Sequence, residues 1–340
     1  MISDVKHLAP LLWEEIEQAK RIILHLHPSP DGDSVGSALG MMGLLEMAGK
    51  RVTVLGGDSK PPQYLSELPG FDKIISVRAG EFKWQIGDLF IVQDASAVNQ
   101  ISKIDTFLLP DFITTVVIDH HVANAITAKL KLIDTSYVAT AQMVYDLAKS
   151  WKLKITPEIA INLFIGIYTD SGGFKYYPTS SKTLAVASKL AAINPKFSDF
   201  IFKIENNNEP ERLIFLGLAL NSIELFYGGN VALVALTFEQ LKEKNLLGEG
   251  GDKSDIANML KSVNGWNIGV CMTEKEPGVI GVSLRTRDAK KFDVSQIALA
   301  TGTGGGHPAA AGATIRLPLA EAKKYLLAKI SEVYPFLVKK

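Results

Sequence analysis

Four short apolar runs near the start of the chain constrain its fold more than any other feature. They cover Arg21–Leu26, Arg51–Leu55, Leu89–Val92 and Thr115–Ile118. Each run is almost continuously apolar, which is typical of strands buried on both faces of a parallel sheet. Helical patterns occur at about 34–47, with Ser34 as the candidate N-cap, and at Thr140–Trp151, Pro157–Tyr168 and Ser180–Ala192. This succession of strands and helices predicts an α/β fold with a doubly wound parallel sheet.

The length of 340 residues suggests about two domains. The chain turns polar around 197–211, so we assign 197–226 to a linker and a bridging helix, between domains at 1–196 and 227–340. The second domain is predicted to be a smaller α/β domain. Its expected elements are strands at Val231–Phe238, Asn267–Thr273 and Val279–Arg285 and a closing helix near Leu319–Val338.

Composition and charge exclude several classes of protein. Lys plus Arg and Asp plus Glu both number 36, whereas proteins that track long nucleic acid usually carry a basic excess. The single cysteine, Cys271, excludes an internal disulfide and a thiolate metal cluster. The N-terminal segment lacks the apolar core of a signal peptide, and no apolar run is long enough to span a membrane. We therefore expect a cytoplasmic protein with no membrane or long nucleic-acid partner.

Aspartate and histidine residues follow three of the predicted strands. Because the carboxyl ends of parallel strands meet at one edge of a sheet, these side chains should converge. Asp119 ends the fourth strand, directly before two histidines, and Asp170 follows a predicted helix. The candidate metal ligands are His27, Asp31, Asp33, Asp94, His120, His121 and Asp170.

Seven candidate ligands are more than one ion with open positions needs, so they predict two ions that share a bridging carboxylate. Imidazole and carboxylate donors without thiolate favour Mn²⁺, with Mg²⁺, Co²⁺ or Fe²⁺ as substitutes. Paired cations suit in-line displacement at phosphorus, which predicts metal-assisted phosphoester hydrolysis. Taken alone, Asp31 and Asp33 could instead be turn or capping residues. His25, inside the first strand, could be a core histidine or a partner of a ligand.

A second group of candidate residues lies in the glycine-rich segment TGTGGGHPAAAGA, at 301–313. Successive glycines allow backbone N–H groups to form an anion-binding nest, and His307 adds a donor beside Gly304, Gly305 and Gly306. Arg285 could clamp a phosphate or stack on a base. The alternative for the glycines is a flexible hairpin or loop.

Taken in order, these motifs resemble the DHH superfamily of phosphoesterases, specifically its DHH–DHHA1 branch. The first motif, H-x-x-P-D-x-D, occurs at 27–33, and the aspartate of the second motif matches Asp94. The name-giving triplet occupies 119–121, and the aspartate of the fourth motif matches Asp170. The DHHA1 signature GGGHxxAAG occupies 304–312 with one additional alanine. The resemblance spans about residues 20–315.

The resemblance implies a role for each candidate residue. His27 and Asp31 would hold one metal, Asp33, His120 and Asp170 the other, and Asp94 would bridge them. His121 would touch the scissile phosphate, and Asp119 would orient the histidines, so Asp94, Asp119 and His121 are the expected catalytic residues. The expected substrate-binding residues are His121, Arg285, Gly304, Gly305, Gly306 and His307, with the active site in the cleft between the two domains.

Within the superfamily, the chain is too short for the additional domains of RecJ-type exonucleases, and the pyrophosphatase branch lacks GGGH. The closest resemblance is to nanoRNases that degrade very short oligoribonucleotides and dephosphorylate 3′-phosphoadenosine 5′-phosphate (pAp). Phosphodiesterases that cleave linear pApA, an exopolyphosphatase- or pyrophosphatase-like enzyme, and a nucleotide-binding module without turnover are the alternatives. The expected partners are short RNA or small nucleotides, and a homodimer is compatible with the resemblance.

Overall fold

The computed structural model describes residues 4–104, 107–122, 124–206, 209–247 and 253–338. The chain divides into two compact units, Met1–Asn207 (unit 1) and Asn208–Lys340 (unit 2). No helix within the described ranges is long and apolar enough to cross a membrane.

Unit 1 is built on a parallel sheet of five strands in the order β2-β1-β3-β4-β5. Its strands are β1 (Arg21–His25), β2 (Val52–Leu55), β3 (Asp88–Gln93), β4 (Thr114–Asp119) and β5 (Leu130–Ile133). The four predicted strands are present in it, and β5 was not predicted. The α/β class and the parallel sheet are thus confirmed.

The α-helices of unit 1 pack on one face of this sheet. They are α1 (Val5–Gln18), α2 (Gly32–Met47), α3 (Thr140–Ser150), α4 (Pro157–Asp170), α5 (Ser181–Ile193) and α6 (Phe197–Glu205). Their apolar side chains join Ile22, Leu24 and Ile91 in one core. The opposite face, which includes Ile23 and Phe90, is covered by the segments that connect β2, β3, β4 and β5. Their described residues form short 3₁₀-helices and loops instead of α-helices. Because successive strand residues point to opposite faces, continuous apolar runs serve both cores.

Unit 2 contains a mixed sheet of six strands in the order β10-β11-β9-β8-β7-β6, in which only β7 and β8 are parallel neighbours. Its strands are β6 (Ile223–Phe226), β7 (Val231–Leu236), β8 (Ile268–Glu276), β9 (Val279–Thr286), β10 (Gly304–His307) and β11 (Ala310–Ile315). Its helices are α7 (Pro210–Asn221), α8 (Phe238–Glu243), α9 (Lys253–Ser262), α10 (Val294–Ala300) and α11 (Leu319–Val333). Helices cover both faces of the sheet and enclose two separate cores.

The polar segment that we assigned to a linker and bridging helix, 197–226, contains α6, α7 and β6. Helix α6 packs Phe197, Phe200 and Ile201 against the core of unit 1. Helix α7 buries Phe215 and Ala219 in a core of unit 2. The change from unit 1 to unit 2 falls between these two helices.

Candidate metal centre and active site

The sheet of unit 1 reverses its strand order between β1 and β3, because β2 lies on the other side of β1. Open α/β sheets bind ligands beyond the carboxyl ends of the strands at such a switch point. His27 lies two residues after β1, Asp94 directly follows β3, and His120 directly follows β4. The fold therefore brings candidate ligands from three neighbouring strands to one place.

The seven candidate ligands come together in overlapping groups. Within each group, one donor atom from every residue lies within 4.8 Å of the others. The groups are His27, Asp31 and Asp94; Asp33, His120 and Asp170; and Asp94, His120 and His121. The donors are carboxylate and imidazole groups, a set that suits divalent cations of borderline hardness.

Asp94 lies between the first two groups. Its Oδ2 is 3.8 Å from Nε2 of His27, and its Oδ1 is 3.4 Å from Nε2 of His120. The residue is 5% exposed and has a left-handed backbone, with φ of 54°. That conformation costs a non-glycine residue about 1–2 kcal/mol, although aspartate tolerates it better than most. Strain of this kind persists where the surroundings fix a side chain for function.

Asp31 both caps a helix and faces the metal-binding groups. Its Oδ1 accepts hydrogen bonds of 3.0 Å from the backbone N–H groups of Asp33 and Ser34, while its Oδ2 lies 3.4 Å from Nε2 of His27. The sequence pattern favoured Ser34 as the N-cap of α2. That prediction is wrong: α2 begins at Gly32, and the Ser34 hydroxyl instead accepts a hydrogen bond from the N–H of His27. The capping and ligand interpretations of Asp31 are therefore compatible.

Asp33 is 1% exposed and is held by a second helix. Its carboxylate accepts hydrogen bonds from the backbone N–H groups of Thr140 (2.6 Å) and Ala141 (2.9 Å) at the start of α3. The N-cap of α3 is Ala139, which has no side-chain acceptor, so Asp33 supplies that acceptor from α2. Oδ2 of Asp33 also lies 3.9 Å from Nε2 of His120.

Asp170 reaches the site because α2 and α4 pack very closely. A Cβ at Gly36 of α2 would lie 2.4 Å from the carbonyl oxygen of Asn162 in α4, which leaves room only for glycine. Asp170 is the last residue of α4, and its Oδ2 lies 3.1 Å from Nε2 of His120. The close helix contact thus places the ligand at the end of α4 beside Asp33.

Two carboxylates of the site, those of Asp33 and Asp94, are buried close to further charged groups. Burial raises the pKa of Asp94 to about 6, and burial with the nearby Asp94 and Asp170 carboxylates raises the pKa of Asp33 well above its usual range. Burial opposes protonation of His120, but its hydrogen bonds with Asp170 and Asp94 prevail and raise its pKa to about 11. In the absence of metal, bound protons therefore neutralise negative charge that divalent cations would otherwise neutralise. The carboxylate and imidazole donors fit such cations.

His121 is oriented by a buried carboxylate. Its Nδ1 lies 2.7 Å from Oδ1 of Asp119, which is completely buried, and this hydrogen bond raises the pKa of His121. Asn124 donates hydrogen bonds to Oδ2 of Asp119 (2.9 Å) and to the carbonyl oxygen of Ala95 (2.8 Å). Sequence reasoning missed Asn124, whose position three residues after the histidine pair was the available signal.

A pocket of about 330 Å³ opens in front of these groups. Its lining includes five of the seven candidate ligands, His121 among them. The loop after β3 adds Asn99, Gln100 and Lys103, none of which was predicted. Their only signal in the sequence was that they follow Asp94 in a polar loop.

Two of the candidates in unit 2, Arg285 and His307, lie in one row across its sheet. Arg285 pairs with Ala310, and Ala310 pairs with His307 on the next strand. Directly opposite residues on neighbouring strands share a face, so the small Ala310 separates the two basic residues on that face. Gly304, Gly305 and Gly306 form the edge strand β10, which pairs with β11 in a hairpin. Of the two interpretations from the sequence, a nest or a flexible hairpin or loop, the structure shows the hairpin. Arg285 is half-buried and donates to Oγ of Ser283 and to the carbonyl oxygen of Leu284.

His25 belongs to the core of unit 1. It is 1% exposed, its ring lies against Phe90 with 5.4 Å between centroids, and neither ring nitrogen has a well-formed hydrogen bond within the described ranges. Burial lowers its pKa to about 4 and keeps the ring neutral. Of its two predicted interpretations, the structure favours the core histidine.

Two protein-family models match the chain, and together they cover most of it. The N-terminal domain of the DHH family matches residues 21–167, and the DHHA1 domain matches residues 239–334. The chain is a DHH–DHHA1 protein. The resemblance read from the motifs is thereby confirmed.

Relatives of this DHH–DHHA1 protein match along nearly its whole length. The bifunctional oligoribonuclease and PAP phosphatase NrnA of Thermus thermophilus is 28% identical over 332 residues, 95% of each chain. The probable bifunctional oligoribonuclease and PAP phosphatase NrnA of Streptococcus mutans is 26% identical over 94% of each chain. The crystal structure of an exopolyphosphatase-related protein from Bacteroides fragilis has a TM-score of 0.83 at 23% identity and covers 97% of both chains. At that identity the structural likeness establishes the fold alone.

Proposed function

We propose that this protein is a Mn²⁺-dependent phosphohydrolase that uses two metal ions to cleave short oligoribonucleotides and pAp. The observation that carries the proposal is the position of Asp94, whose two carboxylate oxygens face two different donor groups. A carboxylate in that position can bridge two cations, and paired cations are suited to displacement at phosphorus.

The proposed ligand sets follow the two donor groups. His27 and Asp31 would hold one ion, and Asp33, His120 and Asp170 would hold the other, with Asp94 between them. Divalent ions bound there would polarise the phosphoryl oxygens and lower the pKa of an attacking water. Mn²⁺ is the ion we propose, since imidazole ligands suit it better than Mg²⁺.

His121 is the proposed contact to the scissile phosphate. Because its Nδ1 is bound to Asp119, its Nε2 is left to donate towards an anionic oxygen. Asn124 keeps Asp119 in place, so the direction of the imidazole is set before substrate arrives. Asp119 and Asn124 thus orient the histidine, and His121 would stabilise negative charge on the phosphate.

We further propose that unit 2 selects the nucleotide. Arg285 and His307 can each bind an anionic oxygen, and the small residues between and beside them leave space for a ribose or base. The names of the NrnA relatives support short RNA and pAp as substrates. The zero net charge agrees, because a ligand of a few nucleotides needs few phosphate contacts.

A substrate panel with purified protein tests the proposal. We expect Mn²⁺-dependent release of phosphate from pAp and of mononucleotides from short RNA, lost on chelation and restored by Mn²⁺. Preferential cleavage of pApA would move the assignment to the linear-dinucleotide alternative. Cleavage of polyphosphate or pyrophosphate alone would overturn the nucleotide assignment and leave a phosphohydrolase of another class.

A further inference from the structure

Asn99, Gln100 and Lys103, in the loop after β3, form one wall of the 330 Å³ pocket. None of these three residues is a candidate metal ligand. The course of this loop is fixed by the core, because Ile101 is 1% exposed and Ser102 is 2% exposed. The backbone N–H of Lys103 donates a hydrogen bond of 3.1 Å to Oδ2 of Asp58. The start of the Lys103 side chain is therefore held in place, although the residue itself is exposed.

The side chain of Lys103 turns back towards the first metal-binding loop. Its Nζ lies 3.3 Å from Oγ of Ser29, two residues before Asp31. Lys103 is the one lysine or arginine among the described residues that line the pocket. Beside it, Oε1 of Gln100 accepts from the N–H and the hydroxyl of Ser96, which leaves the Gln100 amide nitrogen as a donor. The wall thus presents an ammonium and an amide donor.

A charge balance shows why such a wall matters. The candidate ligands include four aspartates, whose charges would neutralise two divalent cations. A neutral metal centre has little long-range attraction for an anionic substrate, so neighbouring cations must supply it. Both His121 and Lys103 line the pocket, and Lys103 brings an ammonium group to it.

We propose that Lys103, with Gln100 beside it, forms an anion-binding subsite for the phosphate being cleaved. This inference rests on the proposed function and deepens it by assigning phosphate recognition to unit 1. Lys103 attracts and holds the phosphate whatever group is esterified to it, whereas unit 2 distinguishes nucleotides.

Three variants test the subsite: Lys103→Met, which removes the charge but keeps the aliphatic chain; Lys103→Arg, which restores the charge; and Lys60→Met as the matched control. Lys60 is an exposed lysine after β2 that lies outside the lining of the pocket. We expect Lys103→Met to lower kcat/KM about tenfold for both pAp and bis(p-nitrophenyl) phosphate, as the loss of one charge-assisted hydrogen bond would. Lys103→Arg should recover most of the loss, and Lys60→Met should match the wild type.

Two further readouts separate a charge effect from a change in loop structure. The kcat/KM of the wild type should fall more steeply with ionic strength than that of Lys103→Met. In an inactive Asp94→Asn background, calorimetry should show weaker binding of pAp when Lys103 is replaced by methionine. Equal ionic-strength dependence, or loss of activity in Lys103→Arg as well, would overturn the subsite. Wild-type hydrolysis with an unchanged Lys103→Met variant would refute the subsite alone, whereas a wild type inactive on both compounds would refute the proposed function.

Discussion

The two units present their candidate functional residues in different ways. In unit 1 the ligands come from separate elements and are fixed by backbone contacts, as Asp33 is by the start of α3 and Asp31 by the start of α2. In unit 2 the candidates lie on two strands of one sheet, β9 and the edge strand β10, and His307 and Gly305 are exposed. A metal centre requires rigid geometry, whereas a surface that receives a short, flexible ligand tolerates adjustment. We therefore expect substitutions in unit 1 to stop chemistry and those in unit 2 to change the choice of substrate.

The largest expected effect is that of Asp94→Asn. Asparagine also tolerates a left-handed backbone, so this variant avoids the strain that alanine would meet at φ of 54°. An amide cannot bridge two cations as a carboxylate can, so kcat should fall at least about a thousandfold on every substrate. Circular dichroism and thermal unfolding should show an intact fold. Turnover of the variant close to that of the wild type would show that the bridging role is wrong. Binding of two metal ions per molecule of the variant would show the same.

Arg285→Ala is expected to have a smaller effect, and one that depends on the substrate. Removal of one charge-assisted contact should lower kcat/KM for pAp and short RNA by about ten- to a hundredfold, while hydrolysis of bis(p-nitrophenyl) phosphate is largely kept. Parallel kinetics on the three compounds measure the ratio. If all three fell equally, the contrast between a catalytic unit 1 and a selective unit 2 would be lost.

How far the sequence predicts each unit has a physical explanation. The apolar runs of unit 1 predict buried strands, and parallel strands oblige the residues at their ends to converge. The structure brings all seven candidate ligands together, including Asp170 at the end of α4. The left-handed backbone of Asp94 and the contact of Asn124 with Asp119 were missed, because both depend on how loops close in space. Strand β10 was predicted only through the hairpin alternative, because three consecutive glycines have low strand propensity, which pairing with β11 overrides.

Metal binding by unit 1 should depend on pH, because protons and cations compete for the same side chains. The folded protein raises the pKa of Asp94 to about 6 and that of His120 to about 11. A raised pKa stabilises the folded protein at pH values below the pKa of the same group in the unfolded chain. This contribution is lost as the pH rises through the pKa in the folded protein. Without metal, stability therefore declines across about pH 4–6 for Asp94 and about pH 6.5–11 for His120. Divalent cations replace these protons, so their stabilising effect should grow with pH.

Thermal unfolding with and without Mn²⁺ measures this effect. We expect a larger rise in Tm on adding Mn²⁺ at about pH 8 than at about pH 5. His25 has a lowered pKa and opposes the trend in metal-free protein, but its contribution is present in both arms and cancels. The pH dependence should weaken in Asp94→Asn. An Mn²⁺-induced shift that is constant with pH would mean that the ions do not displace protons from these groups.

Gly305→Ala gives the smallest expected effect and the sharpest test of unit 2. A Cβ at Gly305 would have no heavy atom within 4 Å, whereas one at Gly304 would lie 2.5 Å from the carbonyl oxygen of Gly312. Gly305→Ala should therefore leave Tm unchanged, and the added methyl group should raise KM for pAp a few-fold, by about 1 kcal/mol or less, if substrate lies over β10. Gly304→Ala is the contrasting variant, since overpacking against β11 should cost about 1–3 kcal/mol of stability. If KM for pAp and short RNA were unchanged in a well-folded Gly305→Ala protein, the glycines of β10 would have only a structural role. Arg285 and His307 would then be the remaining candidates for nucleotide selection.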